Sequence, residues 1–183
     1  MKKAISVFGT VFFILMMVST ASAKKFSIGG FAGLNLPLAQ QDAKSGALFG
    51  AKGRIPLLPF LAFEPNFCFA KYGGKNVDVR GKSYGQEGGD FTSFGVDLLI
   101  GLMSSMSKAK FYGLTGINSN TYKRKGFSNE TGLGWTLGTG FEFLATEILS
   151  LEIRARYHAI KVGEGGKAHV EVSGGLNYYF GSE

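Results

Sequence analysis

From Leu149 to Ala159 every second residue is apolar: Leu149, Leu151, Ile153, Ala155, Tyr157 and Ala159. Ser150, Glu152, Arg154, Arg156 and His158 stand between them. Successive side chains of a strand point to opposite faces, so a strict period of two builds one apolar and one polar face. A helix would scatter the same residues around its circumference. The pattern recurs along the chain. Val170, Val172, Leu176, Tyr178 and Phe180 oppose Glu171, Ser173, Asn177 and Tyr179. Leu133, Trp135, Leu137, Phe141 and Phe143 oppose Gly132, Gly134, Thr136, Gly138, Gly140 and Glu142. Leu61, Phe63, Phe67 and Phe69 oppose Ala62, Glu64, Asn66 and Cys68, and Phe94, Val96, Leu98 and Ile100 oppose Ser93, Gly95, Asp97 and Gly101.

Eight such segments are expected, over 25–36, 46–56, 60–72, 91–103, 109–121, 130–144, 148–161 and 168–180. Most reach the roughly 9–11 residues that a tilted strand needs to cross a bilayer. The gaps alternate in kind. Those at 37–45, 73–90, 122–129 and 162–167 are polar, whereas those at 57–59, 104–108 and 145–147 are shorter. Short turns on one side and longer loops on the other are the rhythm of a transmembrane barrel with both chain ends on the short-turn side. The longest gap, 73–90, holds Lys75, Asp78, Arg80, Lys82, Glu87 and Asp90 among six glycines, and is expected to be a mobile external loop.

The start of the chain sets a compartment. Lys2 and Lys3 precede an uncharged apolar run, Ile5 to Val18, and Ala21-Ser22-Ala23 supplies a small-x-small cleavage site. Residues 1–23 therefore read as a signal peptide, and 24–183 as one exported barrel domain. No cysteine stands immediately after the cleavage site, so lipid anchoring there is not expected. Later apolar stretches are each broken by glycine or charge within about a dozen residues, too short for a spanning helix, so a membrane role falls to strands. Cys68 is the only cysteine, which excludes an internal disulfide. A closed ladder of backbone hydrogen bonds would hold the domain instead. The formal charge is +7, or +5 without Lys2 and Lys3. Behind a signal peptide this balance suits anionic lipid headgroups rather than nucleic acid, although solubility alone would also account for it.

Two barrels fit an alternating chain. A soluble one turns its apolar face inward around a ligand cavity; a membrane one turns it outward to lipid. Side-chain size separates them. The polar face of 132–142 is nearly all glycine, which suits a crowded interior, while its apolar face is large and aromatic. The expected fold class is thus all-β, an eight-stranded antiparallel up-and-down transmembrane β-barrel. Lys52, Arg54, Glu64, Asp97, Glu142, Glu152, Arg154, Arg156, His158 and Glu171 then face inward as a charge network. Buried charges must be paired, and eight strands leave room only for side chains. A plugged core without a water channel is expected, its pairings open. Tyr157, Tyr178, Tyr179 and Phe180 are assigned to an aromatic girdle at one rim.

The stretch GLGWTLGTGFEFLATEILSLEIRARYH (132–158) resembles the penultimate hairpin of small outer-membrane barrels of the OmpA/OmpX-like type, a family that often carries a porin label. GGLNYYF (174–180) resembles that family's terminal strand, with Tyr178, Tyr179 and Phe180 as the aromatic signal read by the barrel-assembly machinery. Many relatives end on the aromatic residue; here Gly181, Ser182 and Glu183 follow. The resemblance implies a Gram-negative outer-membrane location, lipid and lipopolysaccharide as partners, and a monomer. No segment like the peptidoglycan-binding domain of larger relatives follows, so tethering through one is not expected.

Chemistry is sparse. His158 and His169, the only histidines, lack an acidic motif at ligand spacing, and read as one interior and one rim residue. Cys68 reads as an interior filler, without a base to make it a nucleophile. Gly29-Gly30 and Gly73-Gly74 precede no helix and form no phosphate loop. No catalytic, cofactor or metal residue is assigned. Lys123, Arg124 and Lys125 form a basic cluster in an external loop, able to meet lipopolysaccharide phosphates or an extracellular partner, or simply solvated. The expected role is structural and interactive rather than enzymatic. A small-solute porin-like channel is one alternative, which single-channel recordings would separate. An outer-membrane lipid-modifying enzyme is the other, with His158, Ser128 and Asp90 as its only assemblable residues.

Overall fold

A computed structural model describes residues 26–38, 43–74, 76–79, 82–85, 89–101, 108–124, 129–162 and 165–180. Residues 1–23, the expected signal peptide, lie outside them. Eight long strands make the wall: β1 (Phe26–Pro37), β2 (Gly46–Leu58), β3 (Leu61–Gly74), β4 (Gly89–Gly101), β5 (Ala109–Arg124), β6 (Glu130–Leu144), β7 (Leu149–Val162) and β8 (Gly165–Phe180). Each pairs antiparallel with its neighbour in sequence, and β1 pairs with β8, so the sheet is closed. A barrel has no unpaired edge to protect.

Several strands outrun their expected ends at the long-loop side. β3 reaches Gly74, β4 starts at Gly89, β5 reaches Arg124 and β8 starts at Gly165. The segment expected as a single loop over 73–90 contains a short hairpin, Asn76–Val79 with Lys82–Gly85, and Ala43–Lys44 pairs with Gly73–Gly74. Once two strands are in register, ladder hydrogen bonds continue into polar sequence without an apolar face to signal them.

The stagger of the wall can be followed along one hydrogen-bonded row. Ser27 opposes Arg54, which lies level with Glu64 between the pairs Lys52↔Asn66 and Ile55↔Phe63. From Glu64 the row runs through Asp97, Gly116, Thr136, His158 and His169. It returns to β1 at Pro37, ten residues beyond Ser27. Such a stagger tilts the strands and sets a lumen that side chains fill.

The apolar face points outward. Ile28, Leu34, Phe49, Phe67, Phe94, Ile117, Leu137, Ile153 and Leu176 are all exposed, whereas the alternate residues are buried. This is the inverse of a soluble ligand-binding barrel and the sorting a lipid environment requires. Among the described residues of β1–β8, the outward charges are Lys71, Asp90, Lys123 and Lys161, all at the long-loop end. The aromatic residues assigned to one rim divide between two. Tyr157 opposes Val170, towards the long-loop end, and Tyr178 opposes Leu149, at the opposite end. Tyr179 turns inward, while Tyr178 and Phe180 face out, Phe180 stacking on Phe26 at 4.8 Å. The cause is topological: strand β7 rises where β8 descends, so late positions in the two strands lie at opposite ends.

Candidate functional site

Strand parity alone brings ten ionisable side chains into the lumen. Lys52, Arg54, Lys110, Arg154 and Arg156 are buried with Glu64, Asp97, Glu142, Glu152 and Glu171. Five bases thus meet five acids, and the stagger of the wall sets them in two tiers.

Arg54 and Arg154 centre the lower tier. Arg54 Nε donates to Glu64 at 2.9 Å and its NH2 group to Glu152 at 2.7 Å, and it also pairs with Glu142. Arg154 binds Glu64 with both terminal nitrogens, at 2.5 and 3.1 Å, and Glu152 at 2.9 Å. Lys52 pairs with Glu152. Tyr112 lies between the two guanidinium groups, its ring 5.1 Å from Arg54 and 5.7 Å from Arg154, and its hydroxyl donates to Glu152. Lys110 donates to Tyr179 Oη at 3.0 Å and sits 3.9 Å from Glu142. The contacts join β2 and β3 to β6 and β7, so the network runs from wall to wall. Planar forks matched to carboxylates are the strongest hydrogen bonds a protein makes.

Arg156 centres the second tier. It holds Glu171 through a fork at 2.7 Å and Asp97 at 3.2 Å. Asn66 donates to Asp97 at 3.1 Å. Phe31 is shared, with Arg156 at 5.2 Å and Lys52 at 5.9 Å from its ring.

Glycines make the room. A Cβ on Gly140 would fall within the ring of Tyr112, and one on Gly50 would meet the ring of Phe31. Gly140→Val is accordingly expected to destabilise the barrel by about 1–3 kcal/mol through overpacking, read as a lower urea midpoint. Addition of Tyr112→Ala to that variant should recover part of the loss, because the two side chains compete for one volume.

The long-loop end of the lumen is different from what alternation suggests. Tyr72, Phe91 and Tyr122 cluster there with Leu48, Cys68, Ala70 and Ile160. Phe91 lies 4.9 Å from Tyr122 and 5.2 Å from His169. Asn35 donates to Tyr72 Oη at 2.8 Å. An aromatic layer therefore caps the charges. His169, read as a rim residue, is instead interior at 1% exposure and stacks on His158 at 4.5 Å. It opposes His158 in the ladder, so both rings share the inward face.

Among the described residues the enzyme candidates are not brought together. His158 is sealed in the lumen, Asp90 lies on the outer wall between Lys71 and Lys123 in register, and Ser128 lies outside the described residues. Cys68 is buried, consistent with a filler. Among the described residues no group of three or more His, Cys, Asp or Glu side chains is placed to hold a metal ion. Of the basic loop cluster, Lys123 is exposed, Arg124 ends β5 and Lys125 lies outside the described residues. Sequence reasoning missed Lys110, whose strand mixes polar and apolar residues on both faces.

No protein-family model matches the chain, and no curated protein is significantly similar to it in sequence. Solved structures are similar in fold. Neisserial surface protein A superposes with a TM-score of 0.64 at 17% identity, over 85% of this chain and 97% of that one. The outer membrane protein OprG from Pseudomonas aeruginosa gives 0.61 at 19% identity, over 87% and 97%. A major outer membrane protein from Thermus thermophilus gives 0.56 at 15% identity, over 85% and 98%. At these identities the likeness establishes the fold.

Proposed function

We propose that this chain, which has the fold of the small eight-stranded outer-membrane barrels, is exported behind residues 1–23 and seats as a monomer in the outer membrane. There it acts as a structural and surface-interaction protein. Its lumen is closed by side chains, its long loops face the exterior, and its upper wall meets lipopolysaccharide. The terminal strand, with Tyr178, Tyr179 and Phe180, serves as the handle for the barrel-assembly machinery. The role includes no catalytic step and no cofactor.

The observation that carries this reading is the sorting of charge across the wall. Ten ionisable side chains are buried inside. On the outward face of the eight wall strands the described charges are Lys71, Asp90, Lys123 and Lys161, all at one end, where Glu130 is also exposed and Lys167 half-buried at the rim. A hydrocarbon layer would penalise an outward charge at mid-wall, and an anionic leaflet would attract lysines at its edge. Wall-to-wall ion pairing favours the structural reading over a solute channel, because ions crossing the lumen would have to displace Arg54 and Arg154 from their carboxylates.

Heat-modifiable gel mobility tests the proposal. Isolated outer membranes should contain a form that resists SDS until boiled and then shifts. A protein found soluble in the periplasm, with no shift, would overturn it.

A further inference from the structure

On the outer wall near the long-loop end, β6, β7 and β8 leave a groove of about 630 Å³. Leu133 and Trp135 form one side, Tyr157 stands below, and Ala159, Gly166 and Ala168 form a shallow floor. Trp135 and Tyr157 are 5.7 Å apart, ring to ring. Lys161 stands at the mouth, exposed, between Leu133 and Gly166 in the ladder. The neighbouring Lys167 is held by Glu130 at 2.6 Å, and among the described residues no carboxylate pairs with Lys161. The site is therefore an apolar trough with an exposed lysine at its top.

We infer that this groove binds one phosphorylated, saturated-acyl lipid of the outer leaflet, lipid A in chemistry, with an acyl chain along Ala159 and Ala168 and a phosphate on Lys161. The inference rests on the membrane placement proposed above and adds the site. Three features carry it. Small residues at Ala159, Gly166 and Ala168 admit a chain that a Phe or Leu there would displace. Volume is sufficient, since an acyl chain of about a dozen carbons needs only part of it. Position matches as well. Lys161 lies in the same rim as Lys71 and Lys123, above a wall free of outward charge, where a headgroup phosphate would sit. Trp135 and Tyr157 occupy the interfacial level that amphipathic rings prefer.

Trp135 is the only tryptophan in the chain, so its emission reports on the groove. The test refolds the full barrel into phosphatidylcholine vesicles and titrates lipid A, phosphatidylglycerol or dephosphorylated lipid A. Lipid A should shift Trp135 emission saturably, and at lower mole fraction than either control. Lys161→Gln should weaken the response about tenfold, the loss of one charge-assisted hydrogen bond. Ala168→Phe, which fills the floor, should abolish saturation. Heat-modifiable mobility of each variant verifies the barrel. An equal response to phosphatidylglycerol, or an unchanged response in Lys161→Gln, would overturn the site while leaving the membrane reading intact. Failure of the wild-type chain to form a heat-modifiable barrel in vesicles would overturn that reading, and this site with it.

Discussion

Replacement of Arg54 by methionine is expected to cost the barrel about 3–5 kcal/mol, the loss typical when one partner of a buried ion pair is removed. Arg54 touches three carboxylates, Glu64, Glu142 and Glu152. Without it, five described interior acids face four bases, and Glu142 keeps, among the described residues, Lys110 at 3.9 Å as its cationic partner. Urea unfolding in detergent micelles gives the measurement. At a slope of about 1–3 kcal/mol per molar, the midpoint should fall by more than about 1 M. A second variant sharpens the result. Arg54→Met with Glu142→Leu restores parity at four and four, and should recover part of the loss, because residues in one network do not act additively. An Arg54→Met barrel as stable as the parent would mean the network contributes packing alone.

Ile153→Arg is the second large effect, and it separates the two possible solvents of the outer face. Ile153 is 67% exposed, in mid-strand, with Phe141 and Gly174 beside it in the ladder. In water, arginine for an exposed isoleucine would be close to neutral. At the middle of a bilayer it should cost about 2–4 kcal/mol, falling to about 0–1 near the interface. Leu149→Arg, at the end of the same strand, is the internal control. A large loss at residue 153 with a small one at 149 is expected on refolding into vesicles. Equal, small effects at both would mean that the apolar wall meets something other than hydrocarbon.

Alternation made the wall legible because period two is a local property. Leu149 to Ala159 states its own two faces, and glycines at 134, 138 and 140 announce bulky neighbours before any neighbour is known. Partners inside the lumen were not legible. Arg54 meets Glu142 across 88 positions of sequence, and that meeting depends on the accumulated register of every strand between them. β5 was also opaque. Its inward face carries Lys110, Tyr112 and Leu114, and its outward face Thr115, Ser119 and Thr121, so neither face declares itself. The aromatic cap was missed for a third reason. Tyr72, Phe91 and Tyr122 sit at strand ends beside polar gaps, where periodicity runs out. His169 was the avoidable miss, since it shares parity with Glu171 and Ser173.

The β1–β8 seam has a consequence in time. Seven of the eight contacts in the wall join strands adjacent in sequence, and each can form as its hairpin is made. The eighth brings Phe26 to Phe180, the first and last of the described residues. Until it forms, β1 and the last strand made each present a row of unbonded amides that lipid cannot satisfy, at several kcal/mol per group. Insertion of such a chain cannot proceed strand by strand into hydrocarbon. It must keep the two edges covered, by each other or by a protein that lends a strand, until the last residues arrive to take that strand's place.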